Sequence, residues 1–370
     1  MIKICHFTSV HSSNDVRIFH KECSSLAREG YLVYLVTPGS SYELNGVHVI
    51  GVGEKPKSRV TRMFSFSKQV YEKALELDAD VYHFHDPELL PYGAKLKKRG
   101  KIVIYDAHEN YSLTILFKAQ LKFRKTIAFF FHMYEQHVVK SLDAAIIPCT
   151  YNGKNIFENI AKRTVYIDNL PLINELYSAY NPNRTDKYIC YIGGLSYYRG
   201  ITHLIKAAYE SKVKLVLGGK FGDPQYFKYV KALKEYECVE YVGYVDRTEI
   251  AEIFNRASIG VCIIMDEGQN SQADNFPTKV YEYMAMGLPV LLTDQPRARK
   301  FVEAYPCGIC VKPNEVGEIS SAINYLLANP NIAENMGNIG REAVLEKYNW
   351  YAEENKLIKL YKELLEDELQ

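Results

Sequence analysis

The chain has 370 residues, 47% hydrophobic and 24% charged, with 45 basic against 44 acidic side chains. That length exceeds one ordinary domain and suits two of roughly 150–200 residues, while a net charge of +1 excludes a nucleic-acid surface spread over the whole molecule. No run approaches the ~20 apolar residues of a spanning helix, the opening MIKICHFTSV reads as a strand and not a secretory leader, and eight scattered cysteines fit reduced thiols in a cytoplasm.

Short apolar runs alternate with helix-period segments from the start. Strands are predicted at Lys3–Phe7, Leu32–Val36, Val47–Ile50, Val81–Phe84, Val103–Tyr105, Ala144–Ile147 and Thr164–Ile167. Helices fall between most of them, the pattern of a parallel sheet covered on both faces. After the first strand comes "VHSSNDVRIFHKE", where Asp15 is either a helix cap or a polar group of a site. "VYHFHDPELL" ends a strand with His85 and Asp86. "VIYDAHENY" ends the next with Asp106, His108 and Glu109. These clusters sit at strand carboxyl ends, where doubly wound sheets bind ligands. Zinc would accept such residue types, but no HExxH-like spacing supports it, and neither metal nor cofactor is expected. The acids of "DAD", Asp78–Asp80, precede a strand instead of following one and are set aside. The stretch Thr114–Lys140 mixes Lys118, Lys122, Arg124 and Lys125 with Leu116, Phe117, Leu121, Phe123 and Phe129–Phe131. It reads as a helix with a core face, or as a basic–aromatic surface for anionic lipid.

Asp168–Lys187 is rich in Asn and Pro and reads as a connection between domains. Strands then recur at Tyr188–Ile192, Lys214–Leu217, Val239–Val242, Ile259–Ile263, Pro289–Leu292 and Gly308–Val311. Helices are predicted at Ile201–Glu210, Gln225–Glu235, Thr248–Asn255, Thr278–Met286, Val316–Ala328, Ile332–Lys347 and Trp350–Leu365. The expected division is 1–170, a connection 171–187, a second domain 188–348 and a terminal helix within 349–370. Two doubly wound domains facing across a cleft point to a nucleotide or nucleotide-sugar site.

"DNFPTKVYEYMAMGLPV" carries the sharpest signal of the second half. Pro277 suits a first helical residue. The loop Asp266–Phe276, ending in Asn275 and Phe276, then faces free amides of the first turn, Thr278 included, and a phosphate fits there. Lys279 adds a cation, and Glu282 one turn on can accept two hydrogen bonds from a ribose diol. The bland alternative is a Lys279–Glu282 salt bridge on a solvated face. Three glycine turns follow strands: Gly193 and Gly194 with Arg199 beyond them, Gly218 and Gly219, and Gly243–Tyr244–Val245. The first suits a diphosphate, and the last offers backbone groups to a base edge. Cys307 and Cys310 form a lone CxxC, too few ligands for zinc.

The order of these motifs resembles that of family-4 glycosyltransferases of the GT-B fold over essentially the whole chain. The resemblance implies a Glu-x7-Glu motif at Asp274 and Glu282, with Asp in the first place. It puts the family's paired Arg and Lys on Gly194 and Arg199, so the Arg is lost and Lys279 is its candidate replacement. It matches His108 to a histidine near the transferred sugar, and assigns Asp274 to that sugar too. Asp15 and Arg17 resemble a "D-x-R-I-F-x-K-E" pattern of polysaccharide-assembling members, and with His85, Asp86, His108 and Glu109 they make an acceptor side. The final "YNW" and helix resemble a terminal helix that crosses back to the first domain. The implied activity is a retaining, metal-independent hexosyl transfer, with UDP ahead of GDP in the donor. The acceptor is a glycan or lipid-linked glycan of bacterial capsule or O-antigen assembly, at the inner face of the cell membrane. A nucleotide-sugar 2-epimerase of the same fold and a catalytically silent sugar-nucleotide-binding subunit are the alternatives.

Overall fold

A computed structural model describes residues 1–118, 121–173, 176, 179–182, 187–267 and 271–368. Parts of the expected connection (174, 175, 177, 178 and 183–186) and of the loop before Pro277 (268–270) lie outside the described residues. The chain divides into two units, Met1–Asn169 with Tyr351–Gln370, and Leu170–Trp350.

The first unit is an eight-stranded sheet, β1 (Lys3–Phe7), β2 (Leu32–Thr37), β3 (Tyr42–Leu44), β4 (Val47–Gly51), β5 (Val81–Phe84), β6 (Ile102–Asp106), β7 (Ala144–Ile147) and β8 (Thr164–Tyr166). Their order is β3-β4-β2-β1-β5-β6-β7-β8. All pairings are parallel except β3 with β4. The central strands are buried along their whole length, so they read as continuous apolar runs, as two-sided cover requires. The helix Trp350–Asp367 closes this unit. Leu357, Leu360, Tyr361 and Leu364 form its buried stripe, the spacing of one helical face. Glu353 accepts from the Asp168 amide at 3.0 Å, Arg163 pairs with Asp367 at 2.7 Å and Arg28 pairs with Glu354.

The second unit is an all-parallel sheet of β9 (Tyr188–Ile192), β10 (Lys214–Gly218), β11 (Val239–Gly243), β12 (Ile259–Cys262), β13 (Val290–Thr293) and β14 (Gly308–Val311). The order is β11-β10-β9-β12-β13-β14. In each sheet the winding reverses beside the first strand, between β1 and β5 and between β9 and β12. Ligand crevices of open α/β sheets form at such points, beyond the strand carboxyl ends.

Candidate functional site

In the second unit, three strand ends are stitched into one floor. The Gly193 amide donates to the Gly218 carbonyl at 2.9 Å, and the Gly219 amide donates to the Gly243 carbonyl at 2.5 Å. Gly219 has φ +128°, and a Cβ there would stand 1.9 Å from the Gly193 oxygen. Only glycine fits. Gly193, at φ +142°, would place a Cβ 2.6 Å from the Lys279 amine. The turn is therefore shaped around that lysine. Gly243 is also left-handed, at φ +72°. Tyr244 beside it is 73% exposed with the Lys220 amine 4.9 Å over its ring, while Val245 is buried.

Lys279 lies on the helix Thr278–Ala285. Its amine sits 3.6 Å from the Tyr191 ring centroid. Burial, joined by the nearby Arg199 charge and opposed by Cys262 and Glu282, pulls that amine down to about 7. Arg199 ends the turn Tyr197–Arg199, held by Gly200 in the left-handed region. Two cations thus converge on the Gly193 turn, and among the described residues no carboxylate forms a salt bridge with either.

Several expectations change here. The helix begins at Thr278, with Pro277 in the extended cap position at ψ 141°. Lys279 and Glu282 do not make an i, i+3 bridge. Glu282 accepts instead from Arg247 at 2.6 Å, a partner from the helix Arg247–Arg256 that the sequence reading missed. The Phe276 ring packs edge-on to Phe301 at 5.0 Å in the core, so only its backbone can face a ligand. Asn275 is half-buried and Asp274 exposed in the loop before it. Gly194 is open: a Cβ there meets nothing within 4 Å.

The first unit collects charge in the opposite manner, below the surface. Asp106 ends β6 and is fully buried. Arg17 forks onto it, Nε to Oδ2 at 2.9 Å and Nη2 to Oδ1 at 3.0 Å, while Nη1 donates to the Ile167 carbonyl at 3.0 Å. Glu22 lies 3.1 Å from the same Nε. Burial and the Asp106 charge push the Glu22 carboxyl well up, whereas Arg17 and His108 hold Asp106 well down against burial. Two carboxyls beside one guanidinium cannot both stay ionised in a dry site, and Glu22 is the one that keeps its proton.

His6, His83 and His85 are also fully buried. His85 Nδ1 is 3.4 Å and His108 Nε2 3.2 Å from Asp106 Oδ2. His108 is half-buried, with its ring 4.6 Å from that of His11. His85, Asp106 and His108 come close enough to share a metal ion, as do His6, Glu22, His83 and His85. Arg17, however, already occupies the Asp106 oxygen that such an ion would need.

Asp15 caps the helix Val16–Cys23, accepting from the Arg17 and Ile18 amides at 2.9 and 3.0 Å. Its other oxygen meets His11 Nδ1 at 2.9 Å. Burial opposes ionisation of Asp15, but the His11 hydrogen bond and charge and the Ile18 amide hold its carboxyl far below the usual range. Asp86 accepts from Thr8 Oγ1 at 2.8 Å and the Ser9 amide at 2.6 Å. Arg17, His85 and Asp86, expected on the acceptor side, are 5%, 0% and 1% exposed. They underlie the surface, held by internal partners. Glu109 is half-buried beside His108.

The stretch Thr114–Lys140 is two helices in place of one, Tyr111–Phe117 and Arg124–Val139, with 119 and 120 between them outside the described residues. Ala128, Glu135, Val138 and Val139 face inward. Phe123, Phe129, Phe130, Met133 and Tyr134 are exposed, against the expectation of a mere core face. Lys118 has its pKa lowered by partial burial and then by the charges of Arg59 and Arg62, so the basic surface extends to the segment that exposes Val60 and Phe64. No described helix is long and apolar enough to cross a membrane.

The family described as Glycosyltransferase Family 4 matches residues 16–169, and Glycosyl transferases group 1 matches residues 174–343. An uncharacterized glycosyltransferase of Haemophilus influenzae is 21% identical over 346 residues, 88% of this chain and 90% of that protein. Among solved structures, sucrose-phosphate synthase from Thermosynechococcus elongatus superposes with TM-score 0.78 at 18% identity, covering 99% of this chain and 100% of that one. Anabaena HepE, in complex with UDP and glucose, superposes at 0.73 with 15% identity over 98% and 100%. The two matched families fall one on each parallel-sheet unit, and the chain belongs to the family-4, group-1 glycosyltransferases of the GT-B fold.

Proposed function

We propose that this glycosyltransferase takes its sugar from a UDP-linked donor held by the second unit. The acceptor is a glycan or lipid-linked glycan of bacterial surface polysaccharide. One observation carries the donor assignment: the buried Lys279 amine and Arg199 converge on a glycine-floored turn without a carboxylate in salt-bridge contact among the described residues. A buried cation is ordinarily paired, and a diphosphate is the anion that fits Lys279 together with the half-buried Arg199 beside open backbone. Glu282, held from behind by Arg247, faces the ribose. His108 and Asp274 serve the sugar. Asp15, Arg17, His85, Asp86 and Glu109 shape the acceptor side, the buried ones by holding its loops.

Catalysis in this reading is positioning and stabilisation of charge on the leaving diphosphate. With two cations supplied by the chain, no divalent ion is required, and the anomeric configuration is retained. Asp15 supports retention, because a carboxyl spent on two amides and His11 is a poor general base. The exposed aromatic and basic surface of the first unit suits an anionic lipid face, at the cytoplasmic side of a membrane, where each Lys or Arg adds roughly 1 kcal/mol.

The test is turnover of UDP-sugars with excess EDTA, followed by NMR of the product's anomeric proton. Turnover with retention is expected. An absolute need for manganese or magnesium, or an inverted product, would overturn the mechanism. Liposome flotation checks the lipid face: changing Lys118, Lys122, Arg124 and Lys125 to Gln should release the protein from anionic vesicles.

A further inference from the structure

β1 and β5 are neighbours, with His6 in register with His83. Strand alternation puts His83 and His85 on one face, and the terminal helix lays Tyr361 against it. A continuous chain results. His83 Nδ1 is 2.9 Å from Tyr361 Oη, Tyr361 Oη is 3.1 Å from His6 Nε2, and His6 Nδ1 is 3.0 Å from His85 Nε2. His85 Nδ1 then reaches Asp106 Oδ2, which His108 Nε2 also approaches.

The direction of this chain is set by simple counting. Burial, and for His6 and His83 neighbouring imidazoles as well, holds the three inner rings below the usual histidine range, His85 at about 4. A neutral imidazole has one N–H and one lone pair, and the Tyr361 hydroxyl meets only the His83 and His6 rings among the described residues and must donate to one of them, so every link points the same way. Pointing toward Asp106, His83 Nδ1–H donates to Tyr361, Tyr361 O–H to His6, His6 Nδ1–H to His85, and His85 Nδ1–H to His108 Nε2 beside the carboxylate. Pointing away, His85 would aim a lone pair at that carboxylate. His83 would also carry an N–H on Nε2, a buried atom with no partner, and orphan donors are costly. The first direction wins on both counts. His85 Nδ1–H then donates to His108 Nε2, 3.1 Å away, with the Asp106 carboxylate, ionised by Arg17, beside both rings. His108 Nε2 is thereby an acceptor, and neutral His108 carries its N–H on Nδ1.

We propose that Tyr361, His6 and His85 are positioning residues: a one-way hydrogen-bond chain from the terminal helix to His108 that fixes its ring with the lone pair on Nε2, toward His85, and the N–H on Nδ1, toward the sugar. The link to catalysis rests on the role of His108 proposed above. The chain itself does not.

Long-range ¹H–¹⁵N spectra of the histidine-labelled full-length protein test it without substrate. His6, His83 and His85 should carry their proton on Nδ1, and so should neutral His108. Any of the four with the opposite tautomer would overturn the proposal, whatever the enzyme's activity. Tyr361→Phe removes the hinge of the chain. It should mix the tautomers of His6 and His108 and lower kcat about ten- to a hundredfold, as loss of an orienting partner does, with donor KM unchanged. Unchanged spectra and kcat in a folded Y361F protein would also overturn it. Ordered tautomers in a protein that turns over no sugar nucleotide would leave the chain standing and remove the donor reading instead.

Discussion

The two units handle buried charge in opposite ways. In the first, Arg17 pairs with Asp106 and Glu22 beneath the surface, three buried histidines bond in series, and Asp15 and Asp86 are spent on loop amides. In the second, Lys279 meets a glycine turn, with burial and the Arg199 charge raising the cost of its own charge. One arrangement holds its counter-ions within the fold and supplies rigidity. The other is incomplete and becomes favourable only when an anion arrives. The difference teaches that a perturbed ionisable group marks a binding site best where its perturbers are like charges and dryness, not where it already has its counter-ion.

Breaking each region should move stability in opposite directions. Asp106→Asn strands Arg17 in the dry interior of the first unit, and a broken buried pair costs about 3–5 kcal/mol. Urea unfolding should show the loss. Lys279→Met in the second unit should instead stabilise the ligand-free protein while cutting kcat/KM by about 10²–10³, the usual loss for one electrostatic donor. The sign follows from proton linkage. Lys279 folded titrates at about 7 against 10.5 as its ordinary value. Between those values the unfolded chain binds more protons, so wild-type stability rises with pH through that window. The methionine variant should lack that part of the rise.

Smaller changes sharpen the comparison. Glu282→Ala should weaken UDP binding by ~1–3 kcal/mol, as for hydrogen bonds to a charged group. Equal affinity in calorimetry would remove Glu282 from the site. Arg247, 34% exposed, can turn to water, so stability should change little. Gly194→Arg should tighten UDP binding by about tenfold, roughly what one further charge-assisted contact contributes near a surface. The position is open and its φ is not left-handed, so an arginine fits. A weaker complex would show that the open space is needed by the donor itself.

Much of the fold was legible because both sheets are buried on two sides and their strands are unbroken apolar runs. Lys3–Phe7, Val81–Phe84, Ala144–Ile147, Tyr188–Ile192 and Gly308–Val311 were predicted at the bounds found. The misses have local reasons. β3, Tyr42–Leu44, is three exposed residues at an edge, without a pattern to read. The helix Pro296–Ala304 buries only Ala298 and Phe301, so its periodicity is faint. The helix at Arg124 turned its aromatic residues outward, which periodicity alone cannot foresee. In the site, glycine turns and Lys279 carry local signatures. Arg247 behind Glu282 and Tyr361 against His6 do not, since they come from elements 35 and 355 residues away. Histidines at alternate positions of "VYHFH" were the one visible hint of the buried chain.

The central claim is that Lys279 waits, largely neutral above pH 7, for the donor's diphosphate. Calorimetry of UDP binding at pH 8, in buffers of different ionisation enthalpy, tests it most directly, because the terminal phosphate (pKa about 6) is then fully ionised. The account predicts uptake of most of one proton by wild type, none by Lys279→Met, and an affinity that falls as pH rises above about 7. Tight binding with no proton uptake, and no loss in the methionine variant, would contradict it.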